Sequence, residues 1–142
     1  MYKKILVPID LDQDSSWKKA LPVAVEHCQI FGARLHLLTV VPDFGSGLIG
    51  SFFPPDFEEK AVAEARDRIE ALARDKVSSN IKVACHVAQG PIYEEILATA
   101  RAIKADLIVM ASHRPELKDY LLGPNAARVV RHAEISVLVV RN

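Results

Sequence analysis

The chain is poor in the residues that staple or metallate a small protein. It has two cysteines, Cys28 and Cys85, which belong to no CxxC pair and no mixed Cys/His cluster. A redox dithiol and a structural metal centre are therefore without support, and both residues are expected as buried, reduced thiols. It also lacks an excess of either charge. Eighteen basic residues balance eighteen acidic ones, whereas proteins that coat nucleic acid or anionic membrane depend on a basic surplus. Neither nucleic acid nor membrane is expected as a partner. No apolar stretch approaches the roughly 20 residues of a membrane span. The opening MYKKILVPID has too short an apolar run for the core of a signal peptide, so a cytoplasmic protein is expected. There is no low-complexity tract, and no internal repeat larger than a strand–helix unit.

What remains is a chain of 142 residues, half of them hydrophobic and a quarter charged. That composition excludes a mainly disordered protein and suits one domain, residues 1–142, able to bury a core without staples. Five short runs rich in Val, Ile and Leu read as strands: Lys4 to Ile9, Arg34 to Val41, Ile81 to Val87, Asp106 to Ala111, and Ser136 to Val140. Most are apolar on successive residues, as ILVPI and LIVMA show, which marks strands covered on both faces of a parallel sheet. Helical spacing fills the gaps. Trp17, Leu21, Ala24 or Val25 and Cys28 form one stripe, with Asp14 or Ser15 available as its cap. Phe57 to Lys76 carries a second, Ile92, Ile96, Leu97 and Ala100 a third, and Ala126, Val129, Val130 and Ala133 a fourth. This alternation predicts an α/β fold: a doubly wound, single-domain parallel sheet with helices on both faces and right-handed crossovers.

In such a fold the ligand crevice lies beyond the carboxyl ends of the strands. The residues leaving those ends are Pro8 to Asp12, Val40 to Asp43, Ala88 to Gly90, and Ala111 to Arg114. The last of these groups begins the most informative segment, LIVMASHRPELKDYLLGPNAARVVRHAEISVLVVR, from Leu107 to Arg141. Strand, polar loop, helix start and strand follow one another there. Gly123-Pro124-Asn125 punctuates the chain just before the fourth helical pattern, and a helix start with unpaired N–H groups can hold an anion such as a phosphate. One long connection, PDFGSGLIGSFFPPD from Pro42 to Asp56, is too rich in Gly and Pro for a regular element. It is expected to form a flap over the crevice or against a partner subunit.

KKILVPID, LHLLTVVP, GPIYEEIL and the closing ADLIVMASHRPELKDYLLGPNAARVVRHAEISVLVVR resemble the universal stress protein family over essentially the whole chain. The resemblance is to the bacterial subgroup with an SHRP loop and a LLGSNA helix start. It implies a five-stranded sheet of order 3-2-1-4-5, of the adenine nucleotide alpha hydrolase-like kind. The implied ligand is ATP or another adenine nucleotide, with or without Mg. Asp10 matches the family acid near the ribose or base, Val40 the position whose backbone meets adenine, and Pro8 and Ile9 the apolar wall beside it. Met110, Ala111, Ser112, His113, Arg114, Gly123, Pro124, Asn125 and Ala126 match the phosphate-side segment. There the chain departs from the pattern of ATP-binding members. Ala111 and Arg114 stand at the first two glycines, the spacer to Gly123 is shorter, and Pro124 replaces the Ser or Thr. Arg114 adds a guanidinium able to fork onto phosphate oxygens. Pro124 deletes a hydroxyl and an N–H, although proline suits the first turn of a helix.

The resemblance also implies a homodimer, or a higher oligomer built on it, in which Val137 to Val140 of the edge strand pair with the same strand of a second subunit. Other residues have plainer readings. His132 lies near a helix end, where a cation complements the dipole. His27, His36 and His86 share no metal spacing and read as structural. Ser112 and His113 are adjacent, which does not make a triad, so no catalytic residue is assigned and any ATP hydrolysis is expected to be slow. Two functions follow: a sensing or regulatory adenine-nucleotide binder, or an interaction module of the same fold without nucleotide. A hydrolytic or electron-transfer enzyme would rest on fold analogy alone.

Overall fold

The computed structural model describes residues 1–43, 54–112 and 122–141. Strand β1 (Lys4–Pro8) is followed by a short 3-10 turn (Asp14–Ser16), helix α1 (Ala20–Phe31) and β2 (Arg34–Val41). Then come α2 (Phe57–Lys76), β3 (Val83–Gln89), α3 (Ile92–Ile103), β4 (Leu107–Ala111), α4 (Pro124–His132) and β5 (Ser136–Val140). The sheet is five-stranded in the order β3-β2-β1-β4-β5, and every pairing is parallel. Fold class and strand order are those expected.

The unbroken apolar runs have the expected cause. Ile5, Leu6 and Val7 are all 0% exposed, yet they serve different layers. Ile5, Val7, Leu35, Leu37 and Val109 pack with Leu21 and Ala24 of α1 and Ile69 of α2. Leu6, Leu38, Ile108 and Met110 pack with Ile96 and Ala100 of α3 and Val129 of α4. Successive side chains of a strand point to opposite faces, so a strand covered on both must be apolar at every position.

Two boundaries differ from expectation. Helix α1 starts at Ala20, without a side-chain cap, so Trp17 lies before it and neither Asp14 nor Ser15 caps it. Pro22 accounts for the late start: having no N–H, it is tolerated in a first turn but would break a helix begun at Trp17. Strand β3 lies two residues later than its apolar pattern, at Val83–Gln89. Its end is set by β2, which offers Val40 and Val41 as partners for Ala88 and Gln89. β1 and β4 lie within a residue of their expected bounds; at the start of β4 the Asp106 carboxylate accepts from the N–H groups of Lys3 and Lys4 at 2.9–3.2 Å.

The histidines in β2 and β3 meet. His36 Nδ1 lies 2.9 Å from His86 Nε2 and the rings stack at 5.2 Å between centroids. His36 is buried, and its Nε2 has no hydrogen-bond partner among the described residues. The least costly arrangement puts the proton on His36 Nδ1, donating to His86, and leaves a bare lone pair on the orphaned nitrogen. Burial holds the His36 pKa down at about 4, with His86, Arg34 and Lys4 adding repulsion. Burial also lowers that of His86, with a further push from Arg66. A depressed histidine pKa means the unfolded chain takes up the proton first. The stability from keeping His36 neutral is therefore complete above its ordinary value of 6.5 and is lost as pH falls toward about 4. We expect a loss of about 2 kcal/mol from this residue between pH 7 and pH 5. His36→Phe should flatten that slope in melting curves.

Candidate functional site

A cavity of about 310 Å³ opens beyond the carboxyl ends of β1, β2 and β4, against the starts of α3 and α4. That is at the lower end of small-molecule sites, which run from about 300 Å³ upward. Three walls form it. Pro8, Ile9 and Asp10 leave β1, and the loop after them adds Asp12, Gln13, Ser15 and Ser16. Leu38, Val40 and Pro42 come from β2 and its exit, while Ile92 and Ile96 come from α3. Met110, Ala111 and Ser112 leave β4, and Gly123, Pro124, Asn125 and Ala126 open α4. All candidate residues within the described part thus share one cavity. His113 and Arg114, and all but the ends of the expected flap, lie outside the described residues.

The loop after β1 is held by its own polar groups. Ser16 Oγ accepts from the Asp10 N–H at 2.9 Å and lies within hydrogen-bond distance of the Asp10 and Gln13 carbonyls. The Asp12 N–H donates to Asp10 Oδ1 at 3.0 Å, an Asx turn that fixes the Asp10 carboxylate at the cavity wall. Arg68 of α2 adds a clamp from outside, its Nη2 donating to the Leu11 carbonyl at 3.0 Å and to Asp12 Oδ1 at 3.1 Å. Both ends of that ion pair are exposed, 43% for Arg68 and 81% for Asp12, so its effect is local. Arg68→Ala is expected to cost under about 1 kcal/mol of global stability. It should nonetheless speed amide exchange at Asp12 and Gln13, as hydrogen-exchange measurements would show.

On the other wall, buried Ser112 donates its N–H to the Val140 carbonyl at 2.9 Å and accepts the Gly123 N–H at its own carbonyl. This ties the end of β4 to the start of α4. Gly123 is the N-cap and Pro124 the first helical residue, the position at which a missing N–H does least harm.

Among the described residues the remaining titratable groups do not form a reaction centre. Among the described residues no three His, Cys, Asp or Glu side chains gather in a way that could hold a metal. Cys28 is buried as expected, and burial pushes its thiol up to about 11. Cys85 is only partly buried, a departure from expectation, but its thiol is also raised, by burial and then by Glu70. Neither is poised as a nucleophile. His27 lies 2.8 Å from the Val23 carbonyl through Nδ1, and His132 ends α4 stacked on Tyr93. No helix among the described residues is long and apolar enough to cross a membrane.

Sequence reasoning missed the apolar wall of Leu38, Ile92 and Ile96, together with Gln13, Ser15 and Ser16, whereas Pro42 lies in the expected strand exit from Val40 to Asp43. The α3 residues carry helical spacing and look like core. For Ser16 the signal was its place six residues after the acid at a strand end.

A parallel sheet of this order, with a cavity walled by the exits of β1, β2 and β4, defines a doubly wound α/β protein with a ligand crevice at its topological switch point. Comparison with known proteins gives the family. The universal stress protein family model matches residues 1–141, and the chain belongs to that family. Universal stress protein G of Shigella flexneri is 34% identical over 143 residues, covering 99% of this chain and 100% of that protein. A universal stress protein of Methanocaldococcus jannaschii is 28% identical over 161 residues, covering 99% and 96%. Among solved structures, UspA from Lactobacillus plantarum matches with a TM-score of 0.79 at 27% identity, covering 99% of this chain and 98% of that one.

Proposed function

We propose that this universal stress protein binds an adenine nucleotide, ATP or another, in the cavity beyond β1, β2 and β4, and that it senses or regulates rather than turns over its ligand. The observation that supports this most is the convergence of Pro8, Ile9, Asp10 and Val40 with Met110 to Ser112 and Gly123 to Ala126 on one cavity. A carboxylate at its wall is a sound acceptor for ribose hydroxyls. Apolar side chains from Ile9, Leu38, Val40, Ile96 and Met110 suit the faces of a purine. Mg, if it accompanies the ligand, would find Asp10 and Asp12 on the same wall. No base or nucleophile is positioned for catalysis among the described residues, so any hydrolysis is slow. The protein acts in the cytoplasm as a homodimer joined through β5. That edge strand offers partly buried Val137, Leu138, Val139 and Val140 to a second copy.

Melting curves with and without adenosine, AMP and ATP test the ligand, and mass spectrometry of small molecules released from the purified protein identifies any that is carried along. A rise in melting temperature with an adenine compound is expected. No rise with any of them, and none released, would leave the interaction module.

A further inference from the structure

A second cavity, of about 100 Å³, lies where α3 and α4 end and β4 and β5 begin. It is at the opposite end of the strands from the first cavity and shares no lining residue with it. Its floor is apolar: Leu97, Ala100, Ala105 and Ile108 are all buried. Arg101, Lys104 and His132 bring donors to the lining against one acid, Glu134, and all four are exposed. Neither Arg101 nor Lys104 has an ion-pair partner among the described residues. A helix end ordinarily favours a cation through its unpaired carbonyls. At the end of α3 these are largely taken: the Ala100 carbonyl accepts from the Ala105 N–H at 2.9 Å, that of Arg101 from the Lys104 N–H at 3.2 Å, and that of Ile103 from Lys4 Nζ at 3.0 Å. Lys104 itself is held in an uncommon conformation. Its φ of 58° lies in the left-handed region, and it is the one non-glycine residue so placed among the described residues. A residue that ends a helix in this way is usually glycine, because a Cβ is costly there. Lysine in a glycine's place, at the lining of a cavity, serves a ligand better than it serves the turn.

We propose that this second cavity binds a small carboxylate with a short branched apolar tail, the tail resting on Leu97, Ala100 and Ile108 and the carboxylate met by Arg101 and Lys104. An apolar cavity of roughly 150 Å³ accommodates benzene, so this one has room for about four carbons and none for a nucleoside. A guanidinium and an ammonium answer a carboxylate with charge-assisted hydrogen bonds, and together they outweigh Glu134. Amide resonances of the isotope-labelled full chain, followed as isovalerate and, separately, uncharged isovaleramide are added, test the proposal. Saturable shifts at Leu97, Ala100, Lys104 and Ile135 are expected with isovalerate, with binding about tenfold weaker for the amide. Lys104→Gly separates ligand from fold. It relieves the left-handed turn, so the melting temperature should rise, while isovalerate binding should fall severalfold. Isovaleramide binding as tightly as isovalerate, no saturable shifts at this cavity, or a glycine variant that binds isovalerate as the parent chain does would overturn the proposal. None of these outcomes touches the adenine reading, which concerns the other cavity.

Discussion

Asp10→Ala is expected to weaken binding of AMP by about tenfold to a hundredfold, the range for losing a hydrogen bond to a charged acceptor. Asp10 leaves β1 at the cavity wall, and the hydrogen bond from the Asp12 N–H holds one carboxylate oxygen in place. Alanine removes both the acceptor for the ligand and the Asx turn that orders the loop. Asp10→Asn separates the two contributions, since its amide oxygen can still accept the Asp12 N–H while the charge is gone. The asparagine variant should therefore keep the loop's protection from amide exchange and lose part of the affinity. Calorimetry on the two variants reads this directly, and an alanine variant with unaltered affinity would show that Asp10 does not meet the ligand.

The other large effect lies in the core. Ile108 is 0% exposed in β4, which is paired to β1 on one side and β5 on the other, and it packs in the layer formed with α3 and α4. Ile108→Ala should cost about 2–5 kcal/mol of stability, through lost burial and the cavity left in a sheet covered on both faces. Ile30, 68% exposed at the end of α1, is the control, and Ile30→Ala should change stability by no more than about 0.5 kcal/mol. Urea unfolding followed by circular dichroism measures both. Ile108 does not line the main cavity, so the variant should still bind ligand wherever it remains folded.

The sheet was legible because ILVPI and LIVMA have no polar alternation, and a strand without alternation must be covered twice. Boundaries were less so, for physical reasons that can be named. The start of α1 depends on Pro22 and on the hydrogen bonds that Ser16 makes back to Asp10, neither of which disturbs the apolar stripe from Trp17. The end of β3 depends on how far β2 runs beside it, a tertiary fact. The contact of His36 with His86 joins residues 50 apart in the chain and follows from the β2–β3 register, which no local pattern contains. At the cavity, residues that leave strand ends could be read from position alone, as Asp10 and Ala111 show. Ile92 and Ile96 could not, because an apolar residue facing a ligand has the same spacing as one facing the core.

The central claim, that the cavity beyond β1, β2 and β4 holds an adenine ligand, is tested most directly by following backbone amide resonances of the isotope-labelled protein as AMP is added. Saturable shifts are expected at Asp10, Asp12, Val40, Ser112, Asn125 and Ala126, with the amides around His36 and His86 unmoved. Spectra that do not change, or shifts gathered instead around the smaller cavity between α3 and α4 near Lys104 and Ile135, would contradict it.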